Sequence, residues 1–527
     1  MATDSGTTKS VWTDTSNIPS FDPLQGDLDT DVCIVGAGIA GITTAYLLGR
    51  DGKRVVVLDD GPVAGGETGR TTAHLVCALD DYYAQIEKMH GPEGARMAAE
   101  SHMAAIDRIE AIVREEGIDC EFERLDGYWF ALDGEGQDLA DEAEAARRAG
   151  IPGVELLTQI PDVSFKTKSA LRFPNQAQFH PLKYIAALTK AIERDGGRIF
   201  CGTHVDSMDE EDDRPKVKTS DGHAVRANAL VFATNSPVND RVTIHTKQAA
   251  YRTYVVGMQV PKGAVPRGLY WDNLDPYHYI RLTTLDAHNE ILVVGGEDHK
   301  TGQGDNEEEP FWKLEQWTRT RFPMVGDVLY RWSGQVLEPI DAMAFIGVNP
   351  GDDHTYIATG DSGNGMTHGT IAGMLITDLI AGRENAWSKL YDPARKTLRA
   401  APAFLKENLN VALQYGDLAT PGEIHSPVEL GNDSGAIMRD GARKIAVYKD
   451  ASGEIHMRSA VCPHLYCIVD WNNAEKTWDC PCHGSRFDRH GKVINGPALS
   501  DLSELPDDVT PNGAPASGQR AKPVSRE

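Results

Sequence analysis

Residues 31–41 read DVCIVGAGIAG, and this stretch decides the fold. The β-branched run Asp31–Val35 is typical of a buried strand, and the glycines after it indicate a tight turn. Apolar residues recur at helical spacing over Ile39–Gly49, and Arg54–Leu58 is a second strand of the buried type. Strand, turn, helix and strand in this order indicate a parallel sheet covered by helices. The sequence therefore predicts an α/β domain of the Rossmann type.

The turn carries a G-x-G-x-x-G motif formed by Gly36, Gly38 and Gly41. The first glycine makes the turn, the second admits a pyrophosphate, and the third lets helix and strand pack closely. The acidic Asp59 lies 18 residues after Gly41, where it would accept hydrogen bonds from a ribose. The predicted dinucleotide-binding residues of this unit are Gly36, Gly38, Ile39, Ala40, Gly41 and Asp59. No second motif of this kind is present, so a nicotinamide dinucleotide is not expected as reductant.

Several further stretches resemble the D-amino-acid oxidase/glycine oxidase superfamily. They are GGETGRTTA (65–73), GTHV (202–205), VFATN (231–235), WSG (332–334) and ATGDSGNGM (358–366). The resemblance covers residues 30–385 and implies FAD as cofactor, with an antiparallel substrate-domain sheet interleaved with the FAD-binding part. It also implies FAD contacts from Thr68, Arg70, Thr71, Thr72, Val205, Ala233, Thr234, Gly363, Gly365 and Met366.

The same resemblance leaves the catalytic residues open. Superfamily members that act on amino acids often carry an arginine shortly after the W-x-G, where this sequence has Val336. Arg281 is a candidate replacement, although we expect an exposed arginine on a strand. Glu338 and Asp341 are candidates to face an amine cation, but a salt bridge would explain either residue as well. His74 is one position out of register with a histidine that binds FAD covalently in some relatives, so we expect it on a helix surface.

A second motif lies near the end of the chain. Cys462 and His464 form a C-x-H, and after 15 residues Cys480 and His483 form a C-x-x-H. This spacing resembles the Rieske [2Fe–2S] domain, in which two thiolates hold one iron and two neutral imidazoles hold the other. A zinc ribbon is the main alternative. Zinc would not require every Cys and His of this stretch, nor the flanking HGS (483–485) and GPA (496–498).

The Rieske resemblance has one further implication. Cys467 and Cys482 occupy the positions of the disulfide that joins the two cluster-binding loops in bc-complex-type Rieske proteins. Ring-hydroxylating oxygenases lack that pair, so the resemblance argues against an oxygenase.

Composition excludes some partners. The chain of 527 residues has a formal charge of −26, which disfavours nucleic acid and anionic lipid surfaces. No apolar run reaches the length of a membrane-spanning helix, so no stable membrane insertion is expected, and the N-terminus lacks the pattern of a secretory signal. We therefore expect a cytoplasmic protein.

The composition shifts along the chain predict five segments. These are an extended N-terminal arm (1–29), the FAD-dependent domain (30–385), a helical linker (386–422), a small all-β Rieske domain (423–505) and a disordered tail (506–527).

The whole chain resembles bacterial FAD-dependent oxidoreductases with a C-terminal Rieske domain. This implies a dehydrogenase that oxidises a small amine, amino-acid-like or hydroxy substrate by hydride transfer to FAD. Electrons would then pass singly through the [2Fe–2S] cluster to a ferredoxin, a cytochrome or a quinone-linked acceptor. The alternatives are an electron-transfer or redox-sensing protein, and a reductase that runs electrons from cluster to FAD.

Overall fold

The structure is a computed structural model that describes residues 5–132, 139–211, 214–236, 244–304 and 306–506. The α-helices are α1 Val11–Thr15, α2 Ile39–Arg50, α3 Tyr83–Glu116, α4 Leu139–Arg148, α5 Pro181–Arg194, α6 Glu309–Arg321, α7 Gly365–Ile380, α8 Ser388–Tyr391 and α9 Ala401–Gln414. None of the described helices combines the length and apolar character needed to cross a bilayer. The predicted disordered tail lies, from residue 507 onward, outside the described residues.

The strands of the large module occupy residues 28–359. They are β1 Leu28–Asp29, β2 Val32–Val35, β3 Val55–Leu58, β4 His74–Leu75, β5 Glu123–Ala131, β6 Glu155–Leu157, β7 Ser169–Gln178, β8 Arg198–Phe200, β9 Val205–Glu211, β10 Arg214–Thr219, β11 Ala224–Arg226, β12 Ala229–Phe232, β13 Gln248–Pro261, β14 Leu269–Asp272, β15 His278–Thr284, β16 Asn289–Lys300, β17 Val328–Pro339, β18 Phe345–Val348 and β19 Thr355–Thr359. The strands of the C-terminal module are β20 Ser434–Asp440, β21 Arg443–Lys449, β22 Ile455–Ser459, β23 Asp470–Asn472, β24 Thr477–Asp479, β25 Arg486–Asp488 and β26 Val493–Asn495.

A six-stranded sheet in the order β18-β19-β12-β2-β3-β8 forms the centre of the large module. The pairs from β19 to β8 are parallel, and β18 is antiparallel to β19. Every residue of β2, β3 and β12 is buried, as the apolar runs predict. Helix α7 packs closely on α2, since a Cβ on Gly369 would lie 2.6 Å from Ile39 and one on Gly373 would lie 2.5 Å from Thr43.

A second, larger sheet follows the order β17-β13-β16-β15-β14-β5-β7-β4, with β6 paired to β7. Most of its pairs are antiparallel, and β14 with β5 is parallel. Its strands alternate along the chain with those of the parallel sheet. The all-β C-terminal module adds the sheets β20-β21-β22 and β23-β24-β25-β26. These features confirm the predicted α/β fold with an interleaved antiparallel sheet and a small all-β module.

The N-terminal segment differs from the extended arm expected for it. Residues Val11–Thr15 form α1, and Leu28–Asp29 pair in parallel with β11. Trp12 is fully buried against the large module. A buried tryptophan removes a large apolar surface from water, which is the physical reason the segment folds onto the domain.

One buried carboxylate joins the two modules. Glu475, between β23 and β24, is completely buried, and its Oε1 accepts from Arg70 Nη1 at 2.8 Å. Arg252 Nη2 lies 3.4 Å from the same oxygen. Burial raises the pKa of Glu475, but the charges of Arg70, Arg252 and Arg486 outweigh that effect and lower it to about 2.

We predict that Glu475→Gln lowers the free energy of unfolding by about 3–5 kcal/mol, because it leaves buried guanidinium groups without a counter-charge. The contribution of Glu475 is fully present above the unfolded pKa of 4.5 and is lost as the pH falls through about 2. Denaturant unfolding of the holoprotein at pH 7 therefore measures the full contribution of Glu475 to the free energy of unfolding.

The matched control is Glu504→Gln, which removes the partner of Arg458 in a solvent-exposed ion pair with a separation of 3.6 Å. We expect this change to cost less than about 1 kcal/mol. Equal losses in the two variants would contradict the role given to Glu475.

Candidate functional site

A cavity of about 310 Å³ lies where β2, β3 and β12 end. In open parallel sheets, ligands bind at the carboxyl ends of the strands. Every residue that the sequence predicts to contact FAD, except Gly41, lines this cavity. They are Gly36, Gly38, Ile39, Ala40, Asp59, Thr68, Arg70, Thr71, Thr72, Val205, Ala233, Thr234, Gly363, Gly365 and Met366.

The glycine turn has the shape that a dinucleotide needs. Gly36 has a φ of +106°, and a Cβ on Gly41 would lie 1.9 Å from the carbonyl oxygen of Gly36. Gly41 therefore lets helix α2 pack closely on the turn at Gly36, and it does not line the cavity. A Cβ on Gly38 would enter the cavity 3.1 Å from Thr68 Oγ1. With Ile39 lining the cavity at the first turn of α2, this turn fits a pyrophosphate.

Asp59 lies at the end of β3 and bridges two backbone groups. Its Oδ2 accepts from Ala37 N at 2.6 Å and its Oδ1 accepts from Gly61 N at 2.8 Å. A carboxylate oxygen can accept more than one hydrogen bond, so Asp59 can also accept from ribose hydroxyls.

The loop after β3 is fixed by two buried tryptophans. Trp12 Nε1 donates to the carbonyl of Thr71 at 2.6 Å, and Trp332 Nε1 donates to the carbonyl of Arg70 at 2.8 Å. Arg70 lines the cavity, but its Nη1 donates to Glu475. The sequence indicates no such partner, because Glu475 lies 405 positions further along the chain.

Arg281 is buried, and the expectation of an exposed strand arginine is wrong. Its Nη1 donates to the carbonyls of Ala73 at 2.7 Å and Phe179 at 3.1 Å. Both faces of β15 are covered, so alternation along this strand does not indicate exposure. The described cavity lining does not include Arg281.

The other two catalytic candidates are also outside the described cavity lining. Asp341 forms a buried ion pair with Arg395 at 2.7 Å, which matches the salt-bridge alternative. Glu338 accepts from Ser362 Oγ at 2.9 Å. Burial and the neighbouring Asp81 raise the pKa of Glu338 well above its usual range.

His74 lies on strand β4 and lines the cavity, so the expectation of a helix-surface position is wrong. Its Nε2 is 3.2 Å from the carbonyl of Ile280, and its Nδ1 is 3.1 Å from Thr72 Oγ1. Burial lowers the pKa of His74 to about 3, so the ring is neutral. The neutral ring then donates from Nε2 and accepts from Thr72 at Nδ1.

One end of the cavity is formed by residues that the sequence analysis did not single out. We call this set the acidic wall, and it consists of Asp80, Thr253, Trp271, Tyr277, Tyr279 and Asp298. These residues come from four strands and two loops, so no spacing rule brings them together. In the sequence, the signal for this set of residues is the pair of aromatic residues Tyr277 and Tyr279, which flank His278 at the start of β15.

The second site lies in two loops of the C-terminal module. The thiols of Cys462 and Cys480 are buried and hydrogen-bonded to each other. The rings of His464 and His483 have centroids 5.2 Å apart. His483 Nδ1 is buried without a hydrogen-bond partner among the described residues, and burial lowers the pKa of His483 to about 3. Two cysteines and a neutral imidazole with a free nitrogen fit a [2Fe–2S] cluster.

The two loops are linked by a disulfide between Cys467 and Cys482. The sulfur atoms of these residues also lie within 4.8 Å of Cys480 Sγ. Ser485 Oγ accepts from Ala498 N at 3.0 Å and also hydrogen-bonds Cys462. The flanking HGS and GPA stretches thus meet at the same site.

The histidine side of this site faces the large module. The ring of His245 has its centroid 5.1 Å from that of His464 and 6.4 Å from that of His483. Gln335, which lines the cavity, donates from Nε2 to the carbonyl of Gly484 at 3.0 Å. The side chain of Gln335 therefore connects the two candidate cofactor sites.

The C-terminal module also contributes to the cavity itself. Residues of the segment 493–499 line it, and Asn495 Nδ2 donates to Glu67 Oε1 at 3.3 Å. No motif in the sequence indicates this shared wall.

Comparison with known proteins supports both the large module and the C-terminal module. The family model described as FAD dependent oxidoreductase matches residues 31–379, and the Rieske [2Fe-2S] domain model matches residues 423–506. The chain is 34% identical over 503 residues to the Rieske 2Fe-2S iron-sulfur protein YhfW of Bacillus subtilis, covering 94% of this chain and 97% of that protein. It is 28% identical to the gamma-glutamylputrescine oxidoreductase of Escherichia coli, covering 72% of this chain and 91% of that protein.

Among solved structures, glycine oxidase from Geobacillus kaustophilus superposes with a TM-score of 0.60 at 18% identity, covering 70% of this chain and 99% of that chain. This likeness concerns the fold. Because the oxidoreductase model matches more than half of the chain, the protein belongs to the FAD dependent oxidoreductase family and carries a C-terminal Rieske [2Fe–2S] domain.

Proposed function

We propose that this protein is a dehydrogenase that oxidises a small amine, amino-acid-like or hydroxy substrate. Electrons leave singly through its own Rieske domain to an external one-electron acceptor. The observation that carries the proposal is the contact of Gln335, in the cavity wall, with Gly484, the neighbour of the cluster-site residue His483. When bound, FAD supplies hydride acceptance and the cluster supplies one-electron transfer.

In this proposal FAD occupies the cavity at the ends of β2, β3 and β12. The turn at Gly36, Gly38 and Gly41 and the first turn of α2 hold the pyrophosphate, and Asp59 holds the ribose. The cluster is held by Cys462 and Cys480 on one iron and by His464 and His483 on the other.

Several side chains prepare the cavity for the reaction. The neutral His74 accepts from Thr72, which fixes the hydroxyl of Thr72 on the cavity wall. Trp12 and Trp332 hold the adjacent backbone carbonyls, so the loop is rigid before ligand binding. Such pre-organisation reduces the cost of orienting a substrate.

The acidic wall favours an enzyme over a redox sensor, because a sensor does not need a cavity end that binds a metabolite. The relative named for gamma-glutamylputrescine supports an amine among the proposed substrate classes. A reductase that passes electrons from the cluster to FAD would use the same contacts between the two sites. An experiment that distinguishes a dehydrogenase from a reductase must therefore monitor both the flavin and the cluster.

We predict that Gly38→Val reduces bound flavin to below about one-tenth of the wild-type content, because a β-branched side chain there enters the pyrophosphate space. Flavin absorbance per chain measures the effect, and iron content should stay unchanged. Gly49→Val is the matched control, because a Cβ on Gly49, in the same helix α2, would have nothing within 4 Å. Normal flavin content in Gly38→Val would refute the placement of FAD.

We predict that Cys462→Ser removes iron and acid-labile sulfide, expected at about two each per chain, and leaves flavin bound. Under anaerobic conditions a substrate amine should still bleach the flavin of this variant, whereas electron delivery to cytochrome c should fall at least about tenfold. The loss follows because the cluster is the one-electron relay. Absorbance at the flavin band and cytochrome c reduction measure the two steps separately.

Cys33→Ala is the control for this experiment, since Cys33 is a buried cysteine on β2 of the parallel sheet and belongs to neither cluster loop. It should retain iron and electron delivery. Stoichiometric zinc in the wild type, or undiminished cytochrome c reduction by Cys462→Ser, would overturn the proposed function. Flavin reduction from a pre-reduced cluster without any bleaching by amines or hydroxy acids would favour the reductase instead.

A further inference from the structure

The acidic wall has unusual polar chemistry for a cavity that would bind an amino acid. Tyr277 donates its hydroxyl to Asp80 Oδ2 at 3.0 Å, and the hydroxyls of Tyr279 and Thr253 lie 2.6 Å apart. The rings of Tyr277 and Tyr279 have centroids 5.5 Å apart and are tilted by 38°. Two carboxylates and several aromatic faces therefore share one end of the cavity.

The carboxyl groups of the wall are buried and incompletely paired. Asp298 Oδ1 has no hydrogen-bond partner among the described residues. Burial raises the pKa of Asp80 to about 7, although the hydrogen bond from Tyr277 opposes the shift. Burial also raises the pKa of Asp298 to about 7, although the hydrogen bond with Thr253 and the charge of His278 oppose the shift. A buried acceptor with no donor is costly, and a ligand that brings donors and positive charge relieves that cost.

The described residues of the acidic wall include no arginine, lysine or histidine that could bind a substrate carboxylate. Among the described lining residues of the whole cavity, Arg70 is the one arginine or lysine side chain, and its Nη1 donates to Glu475 and to the carbonyl of Ser333. Arg281, the candidate replacement for a carboxylate-binding arginine, donates to backbone carbonyls instead. A substrate carboxylate placed at the acidic wall would meet like charge without compensation.

We infer that the substrate enters as a cationic amine, with its ammonium group held by Asp80 and Asp298 and its carbon chain against Tyr277, Tyr279 and Trp271. An ammonium group supplies three donors and a positive charge, which matches the unpaired carboxylate oxygen. Tyrosine and tryptophan rings offer large apolar faces, against which a carbon chain packs. An α-carboxylate is not required for recognition. This inference rests on the proposed function and names its substrate class.

The test uses probes of one shape that have no hydrogen on the carbon bearing nitrogen or oxygen, so oxidation cannot interfere. These are tert-butylammonium, tert-butanol, pivalate and 2-aminoisobutyrate. Isothermal titration calorimetry with the FAD-loaded holoprotein at pH 8 measures each affinity directly. We expect tert-butylammonium to bind at least about tenfold more tightly than tert-butanol, in line with hydrogen bonds to charged groups. Pivalate should show no binding, and 2-aminoisobutyrate should bind more weakly than tert-butylammonium.

Variants then assign the ammonium site. Asp298→Asn and Asp80→Asn keep the side-chain shape and should each weaken tert-butylammonium binding at least about tenfold. Glu297→Gln is the matched control, because Glu297 precedes Asp298 on β16 and faces His278 and Lys313. It should change the affinity by less than about twofold, and flavin content verifies that each variant is folded.

Two results would overturn the inference: tighter binding of pivalate or 2-aminoisobutyrate than of tert-butylammonium, or equal effects of Glu297→Gln and Asp298→Asn. Failure of the proposed function would be recognised separately, by undiminished electron delivery from the Cys462→Ser variant. The binding of an unreactive amine does not depend on that result. Selective amine binding supports the ammonium site even if electrons do not pass through the cluster.

Discussion

The arrangement of both modules depends on one buried ion pair, between Arg70 of the loop after β3 and Glu475 of the Rieske domain. Taking these charges out of water is expensive, and the cost is offset because Glu475 also lies near the buried Arg252 and accepts from Ser333 N at 3.3 Å. Arg70 also donates to the N-terminal segment at Thr8 Oγ1. The loop that lines the cofactor cavity, the N-terminal segment and the Rieske domain thus share one network.

This network explains how the two cofactor sites can keep a fixed relation. The ion pair fixes the Rieske domain near the loop after β3, and the hydrogen bond from Gln335 to Gly484 aligns the cluster loop with the cavity wall. His245 of the large module lies against the ring of His464. In water-excluded surroundings such polar contacts are costly to break, so they favour one docked arrangement.

Much of the fold and both cofactor sites follow from the sequence, because their determinants are local. The turn at Gly36 and the pair of Cys480 and His483 encode their geometry within a few residues. The carboxylates Asp80 and Asp298 and the partner of Arg70 could not be found in this way, because distant elements bring each of them to its site. The burial of Arg281 does not follow from the sequence, because β15 is covered on both faces, and this is a property of the sheet and not of the strand.

The segment 493–499 of the Rieske domain lines the cavity of the oxidoreductase domain. The cavity that we propose for FAD is thereby built from two parts of the chain that family models describe as separate. The Rieske domain cannot then be exchanged for another of its kind as an independent cassette, since the replacement would have to supply the cavity wall and a carboxylate at the position of Glu475. In the proposed arrangement, a substitution in segment 493–499 would therefore change flavin retention although it lies in the Rieske domain.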